Sequence, residues 1–478
     1  MGGAARLESG AVFVSRRPGH DLIMSERCVE VMLQYKYYFV VIQNRITGAT
    51  AAEIANSIEQ HARRADSDEQ LPTIRELAAT LRVSPVTVAA AYRLLHARGL
   101  AVSHGRRGTR LRARSAPHPP TLRSVGSTEG IVDLATGNPD PALLPSMDAA
   151  IRGLRADAHL YGEPAELRSL IAFATAEFEA DGVPAAAVTV TSGALDAIER
   201  VLREHTRAGD RVVVEDPTLP AFLDLTTSLG LTPQPCALDH EGLQPEAFDR
   251  ALSPQTKAVI VTPRAQNPTG AAMSARRAAD LSRVLRRRSH VVLIEVDPVG
   301  PVSGAPMATL TATPPEHWVS IKSTSKFLGP DLRVAVVAGD ETTIARVERR
   351  QALGARWVSH LLQRLTLTLW SDPSSGRRFA RAADVYTQRR QALIDALAAH
   401  AIPSFGRSGL NVWIPVREES AAVQALAARG WSVAAGERFR LRSAPGIRVT
   451  VSTMLPEDAG RFAADLSLTL RSRGTANA

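Results

Sequence analysis

The chain has 478 residues, enough at roughly 150 per domain for two to four domains with sizeable cores. A hydrophobic content of 45% and a mean hydropathy of −0.07 describe a soluble globular protein and exclude a disordered one. The formal net charge of +9 points either to a polyanionic partner or to an arginine-rich background, and the two cysteines, Cys28 and Cys236, are too far apart to suggest a disulfide framework or a metal site, which makes a reducing cytoplasm the expected compartment.

In chain order, residues 1–46 form an unassigned extension, either a true addition or a misplaced start. The apolar stretch from Val29 to Gln43 is too short to cross a bilayer and is broken by Glu30, Gln34 and Lys36. It also lacks the order of a signal peptide, so no membrane association is expected.

Residues 47–112 read as a compact helical module. Thr50 with Glu53, and Thr73 with Glu76, each form a capping box opening a helix, the first running from Thr50 to Arg63 and the second burying Leu77, Ala78 and Leu81. After a tight turn at Arg82-Val83, Ser84 is a good N-cap and Pro85 a good first helical residue. They start a helix with the core stripe Val88, Ala91, Leu94 and Leu95 that ends at Gly99. Leu100 to Val102 and Thr109 to Leu111 read as strands joined through Gly105-Arg106-Arg107-Gly108, a hairpin wing. Two helices on a tight turn make a helix-turn-helix, so the second would enter the major groove of double-stranded DNA while the wing arginines meet phosphates.

Residues 113–129, with Pro117, Pro119 and Pro120 and no hydrophobic period, form a linker. From residue 130 onward, β-branched runs alternate with helical patterns: Val188 to Thr191, Arg211 to Glu215, Lys257 to Pro263, His290 to Asp297, Trp318 to Ser323 and Val334 to Gly339. That alternation predicts a mostly parallel sheet covered on both faces. After a long helical stretch, strands near Asn411 to Val416 and Gly446 to Ser452 suggest a smaller C-terminal subdomain, about 380–478.

The chemistry concentrates on Lys326, one of only four lysines among 57 basic residues, in Ser323-Thr324-Ser325-Lys326 with Arg333 downstream. Guanidinium cannot form an imine, whereas an amine of lowered pKa can condense with an aldehyde, and the nearby hydroxyls and arginine suit a phosphate. Thr191-Ser192-Gly193-Ala194-Leu195 places a glycine turn between a strand and a helix start, where free N–H groups and the positive helix end attract phosphate.

The first module resembles the winged helix of the GntR family, and the remainder resembles the aminotransferase-like, fold-type I domain that uses pyridoxal 5'-phosphate. Together they resemble MocR/GabR-type regulators. The implied fold is an N-terminal winged helix-turn-helix (α+β), then a large α/β fold-type I domain over residues 130–478 with a small C-terminal α+β subdomain. The GntR resemblance implies DNA contacts by Arg75, Ser84, Thr87, Gly105, Arg106, Arg107 and Thr109. Pro85 and Ala89 stand where relatives carry arginines, so base readout must differ. The fold-type I resemblance implies a Schiff-base lysine at Lys326. Gly193, Ala194, Leu195, Ser323, Ser325 and Arg333 would hold the phosphate, Asn267 of Asn267-Pro268-Thr269-Gly270 the phenolic oxygen, and Arg448 the carboxylate of an amino acid, although Arg448 reads equally well as an ordinary strand arginine. A homodimer is implied, with a small amine or amino acid as effector.

Three positions depart from the family pattern. Val296 stands where the carboxylate facing the pyridine nitrogen is expected, and the neighbouring Asp297 can replace it only if the strand is bulged or ends there. Leu219 stands where a ring-stacking aromatic is usual, and Pro298 and Val299 where a tyrosine is. These departures favour a regulator that senses the cofactor with little turnover. The alternatives are an active aminotransferase that carries a winged helix, and a cofactor-free DNA-binding dimer.

Overall fold

The computed structural model describes residues 11–15, 21–25, 46–62, 70–97, 101–103, 108–111, 130–154 and 158–471. Gly105, Arg106 and Arg107 of the expected wing, and the expected linker, lie outside them. The chain divides into two compact units, Met1–His118 and Pro119–Ala478.

In the first unit, strands β1 (Ala11–Ser15) and β2 (Asp21–Ser25) pair antiparallel. Helix α1 (Ala51–Ala62) opens on the Thr50–Glu53 box, with Oγ1 and Oε2 each accepting the other residue's backbone N–H at 3.3 Å. Helix α2 (Ile74–Leu81) opens on the Thr73–Glu76 box and stops where Arg82 turns left-handed at φ 55°. Helix α3 (Pro85–Ala97) follows at once, its first turn capped by Ser84 Oγ, which accepts from Thr87 N at 3.1 Å. The core joins Ile54, Ile58, Leu77, Val88, Ala91, Leu95 and Leu111. One expected core position is wrong: Leu94 is 37% exposed. Tyr92 completes the stripe in its place, because 88, 91, 92 and 95 follow the helical period and 94 does not. The Tyr92 hydroxyl donates to Pro72 O at 2.6 Å, tying α3 to the lead-in of α2. Strands β3 (Ala101–Ser103) and β4 (Thr109–Leu111) form the antiparallel hairpin, and Thr109 O accepts from Leu71 N at 2.8 Å.

In the second unit, strand β5 (Val132–Asp133) leads to helix α4 (Arg168–Ala180), followed by β6 (Ala187–Thr191), α5 (Ala194–His205), β7 (Arg211–Asp216), α6 (Pro220–Ser228), β8 (Thr232–Asp239) and β9 (Gly242–Leu243). Then come α7 (Pro245–Ala251), β10 (Thr256–Val261), α8 (Ala275–Leu285), β11 (Val292–Asp297), β12 (Trp318–Ser323), β13 (Ala335–Gly339), α9 (Glu341–Ala352), α10 (His360–Ser371) and α11 (Pro373–Ala399). The sheet order is β6-β13-β12-β11-β10-β7-β8-β9. Strands β8, β7, β10, β11 and β12 run parallel, and β13 runs against both its neighbours.

Both faces are covered, as continuous apolar strands require. Val213, Val259, Val261 and Leu293 pack on one side with Phe178, Phe248 and Leu281. Val212, Val214, Ala258, Ile260, Ile294 and Val296 pack on the other with Ile198, Val201, Phe222 and Ile344.

Strands β14 (Asn411–Pro415), β16 (Ala434–Ala435) and β17 (Gly446–Thr450) make a second sheet, with α12 (Glu419–Ala427), β15 (Trp431–Ser432) and α13 (Asp458–Arg471) around it. Its core includes Trp431, Phe462, Leu393 and, from far upstream, Leu134. Strand β5 pairs with β15, so the segment entering the large unit is built into the small subdomain.

Candidate cofactor site and DNA-reading face

Lys326 follows β12 and is enclosed by the fold. Burial, helped by the nearby Arg448 guanidinium, pulls its pKa down to about 8. Its Nζ donates to Gly137 O at 2.8 Å. Arg448, on β17, is 5% exposed, and burial lowers its pKa to about 10. It donates through Nη1 to Asn267 Oδ1 at 3.3 Å and through Nη2 to Ala135 O, while Phe439 lies 5.0 Å below the guanidinium. Its Nε is buried without a partner. Such a donor calls for an acceptor that a ligand can bring. Lys326, Asn267 and Arg448 therefore converge, although 181 positions separate the last two in sequence.

Asn267 is held by its own turn. Gln266 Oε1 accepts from Thr269 N at 3.0 Å, and Gln266 Nε2 donates to Glu215 Oε2 at 3.1 Å. Burial raises the Glu215 carboxyl to about 7. Asp216, at the end of β7, accepts from the amides of Leu441, Arg442 and Ser443 at 2.9, 2.7 and 3.0 Å, which fixes the loop leading into β17 and Arg448.

The expected phosphate residues form a second group. Gly193 adopts φ +96° just before α5, and a Cβ there would lie 3.1 Å from Arg333 Nη2. Only glycine lets that guanidinium reach the helix start. Arg333 itself is left-handed at φ 51°, a conformation in which non-glycine residues cluster at ligand sites. Ser323 Oγ donates to Ser325 Oγ at 3.2 Å. Ala194 and Leu195 are the first residues of α5, where N–H groups have no partner within the helix.

These residues fit pyridoxal phosphate: an amine of lowered pKa, a glycine cradle with an arginine against it, and a buried guanidinium nitrogen without a partner. When bound, the cofactor supplies an aldehyde and an electron-withdrawing ring. The question left open for Asp297 is resolved by the register. β11 pairs with β12 without a bulge from Leu293 to Asp297, so Val296 faces the side covered by α5 and Asp297 the opposite one. Arg264 holds Asp297 through Nε at 3.1 Å and Nη2 at 2.7 Å, and Gly300 N donates to it at 2.9 Å. Arg264 also reaches Asp181 at 3.1 Å, which Lys322 Nζ meets at 2.8 Å. Asp297 is thus committed to a buried ion network and does not replace the missing carboxylate. Leu219 packs half-buried as the N-cap of α6.

Sequence reasoning missed Gly137, Ala135, this network and the Asp216 clamp. The Gly137-Asn138-Pro139 turn was a signal for the first; the others depend on contacts across the fold.

On the first unit, Arg75 and Ser84 are exposed and Thr87 half-buried at the start of α3, with Ser84 Oγ and Thr87 Oγ1 2.9 Å apart. Among the DNA contacts predicted for the wing, the structure describes only Thr109.

Fold and site together define a two-part protein, a winged-helix reader and a domain built like a pyridoxal-phosphate aminotransferase. The profile of the aminotransferase class I and II family matches residues 129–466, and that of the gntR family of bacterial regulatory proteins matches residues 48–111. The chain is 42% identical over 427 residues to the vitamin B6 salvage pathway transcriptional repressor PtsJ of Salmonella typhimurium, covering 88% of this chain and 98% of that one. It is 27% identical to the HTH-type transcriptional regulator YcxD of Bacillus subtilis, covering 71% and 78%. Its structure is similar to kynurenine aminotransferase of Pyrococcus horikoshii, solved with PMP, at a TM-score of 0.68 and 20% identity over 74% of this chain and 93% of that one. LysN of Thermus thermophilus follows at 0.64 and 21%, over 73% and 94%. The chain belongs to the MocR-type regulators, in which a GntR winged helix precedes an aminotransferase class I and II domain.

Proposed function

We propose that this protein is a DNA-binding transcriptional regulator of the cytoplasm that takes up pyridoxal phosphate on Lys326 as its signal and turns over little or no substrate. The observation that carries this reading is the combination at the site: an amine lowered to about 8, ready to condense with an aldehyde, beside a strand that offers Val296 and turns Asp297 away into the Arg264 network. Without a carboxylate at its nitrogen the ring is a weaker electron sink, which suits sensing better than proton transfer. The Salmonella relative's role in vitamin B6 salvage supports a B6 compound as the signal. In this reading Ser323, Ser325, Arg333 and the amides of Gly193, Ala194 and Leu195 hold phosphate, and Arg448 receives the carboxylate of any amino-acid effector. Arg75, Ser84, Thr87, Gly105, Arg106, Arg107 and Thr109 serve double-stranded DNA.

The protein acts as a homodimer. Leu160 and Tyr161 are 65% and 78% exposed, and Leu353 and Leu361 are 77% and 50% exposed. Tyr161 packs edge-on against Trp357 at 5.5 Å and under the Arg356 guanidinium at 5.0 Å, and His159 stacks on His360 at 3.6 Å, which joins the 159–161 and 356–361 stretches into one surface of exposed aromatic, aliphatic and basic side chains suited to a partner subunit.

Spectroscopy tests the cofactor reading. Pyridoxal phosphate added to the purified protein should give a visible absorption band that borohydride fixes onto Lys326, and Lys326→Ala should abolish it. A wild-type protein that stays colourless refutes the reading.

A further inference from the structure

Two cationic donors of the site, Lys326 and Arg448, are both occupied by the backbone of one short segment. Lys326 Nζ donates to Gly137 O at 2.8 Å, and Arg448 Nη2 donates to Ala135 O. The segment is shaped to reach them. Asp133 Oδ1 accepts from Ala135 N at 2.8 Å and from Thr136 N at 3.2 Å, folding the chain back on itself. Gly137 adopts φ +71°, and a Cβ there would press on the Arg448 guanidinium at 3.3 Å. On either side the chain is anchored by groups that no ligand would touch. Leu134 N donates to Ser432 O at 2.8 Å, Asp140 N to the Tyr386 hydroxyl at 3.0 Å, and Arg389 Nη1 to Asp140 Oδ2 at 2.8 Å.

We propose that residues 135–138 are a latch that ligand must displace: closed, they fill the donors of Lys326 and Arg448, and they come free when those donors are taken. The proposal rests on reading Lys326 as the lysine that accepts an aldehyde cofactor. Condensation of its amine with the aldehyde forms a C=N bond and releases the carbonyl oxygen as water. The nitrogen, which carried two or three hydrogens, then keeps at most one. That one is fixed in the plane of the double bond, so Gly137 O loses the freely rotating donor that meets it at 2.8 Å. A carboxylate arriving at Arg448 competes with Ala135 O on favourable terms, since it brings a full negative charge and two oxygens that can meet the guanidinium fork together, where the carbonyl brings one neutral oxygen. The unfilled Nε gives it an additional contact that the carbonyl does not use.

The anchors confine the freed stretch to a few residues, and its position gives it meaning. It lies at the entry of the large unit, just downstream of the chain that leads from the DNA-reading unit. Its closed population also sets the apparent affinity for cofactor, because a competent state that is only partly populated weakens binding by that fraction.

Hydrogen exchange on the full-length protein tests this, followed on peptides covering residues 130–144. Without ligand, Lys326→Ala should speed exchange of the Ala135, Thr136 and Asn138 amides about tenfold, the scale of one lost hydrogen bond to a charged donor. Adding pyridoxal phosphate to the wild type should do the same. Lys326→Arg keeps a cationic donor but cannot form the C=N bond, so it should stay slow and ignore pyridoxal phosphate. Exchange in Lys326→Ala as slow as in the wild type overturns the latch. If the visible band forms and exchange stays slow, the latch is wrong while the cofactor reading stands. If no band forms yet Lys326→Ala exchanges fast, the closing contact on Lys326 stands, while the cofactor reading falls and with it release of the latch by pyridoxal phosphate.

Discussion

At the scale of single residues, Lys326 shows how burial makes a reagent of a common side chain. A lysine in water is almost wholly protonated at neutral pH and attacks aldehydes only through its small free fraction, whereas here half of the amine is free at about pH 8. The rate of pyridoxal phosphate uptake should therefore climb with pH through about 8 and level off above it. Stopped-flow absorbance between pH 6 and 10 measures this; a rate still climbing steeply at pH 10 would mean an amine of ordinary pKa. Lys326 was legible in the sequence because its signal is local: a rare lysine among arginines, hydroxyls beside it, and an arginine after it. Its partner was not, since Gly137 lies 189 positions away. The choice between Val296 and Asp297 was likewise unreadable, because one residue of register decides which face each takes.

At the scale of elements, the caps were the most faithful signals. Both capping boxes and the Ser84 cap stand where the residues put them. Strand β8 gave no signal because Pro233 and Pro235 break the usual strand pattern. It is tolerated because β7 lies on one side and, on the other, only Leu238 and Asp239 meet the short β9. The joining of β5 to the small subdomain was also hidden, since it depends on a pairing with residues 431–432. The buried network linking α4, β11 and β12 carries a prediction of its own. Asp297→Asn leaves Arg264 with Asp181 as its one remaining carboxylate and should destabilise the protein by about 3 kcal/mol, the lower range for a broken buried pair. Urea unfolding followed by tryptophan fluorescence checks it, and an unchanged midpoint would mean that the network contributes nothing net.

At the scale of the whole molecule, the chain has two compact units, one matching a DNA reader and one an aminotransferase domain. Paired readers suit repeated or palindromic half-sites, so the protein should sediment as a dimer at micromolar concentration, and Tyr161→Asp with Leu361→Asp should weaken that dimer. A wild-type monomer would contradict the assignment of the exposed apolar surface.

In the proposed regulator, cofactor on Lys326 changes how the chain holds DNA. The most direct test is a footprint and affinity titration on the DNA upstream of the protein's own coding region, at fixed salt, with and without pyridoxal phosphate. The expected result is a sequence-specific footprint whose affinity or extent changes with pyridoxal phosphate in the wild type but not in Lys326→Arg. Failure to find a specific footprint anywhere in the genome, together with measurable conversion of amino acids to keto acids, would contradict it and make the protein an aminotransferase.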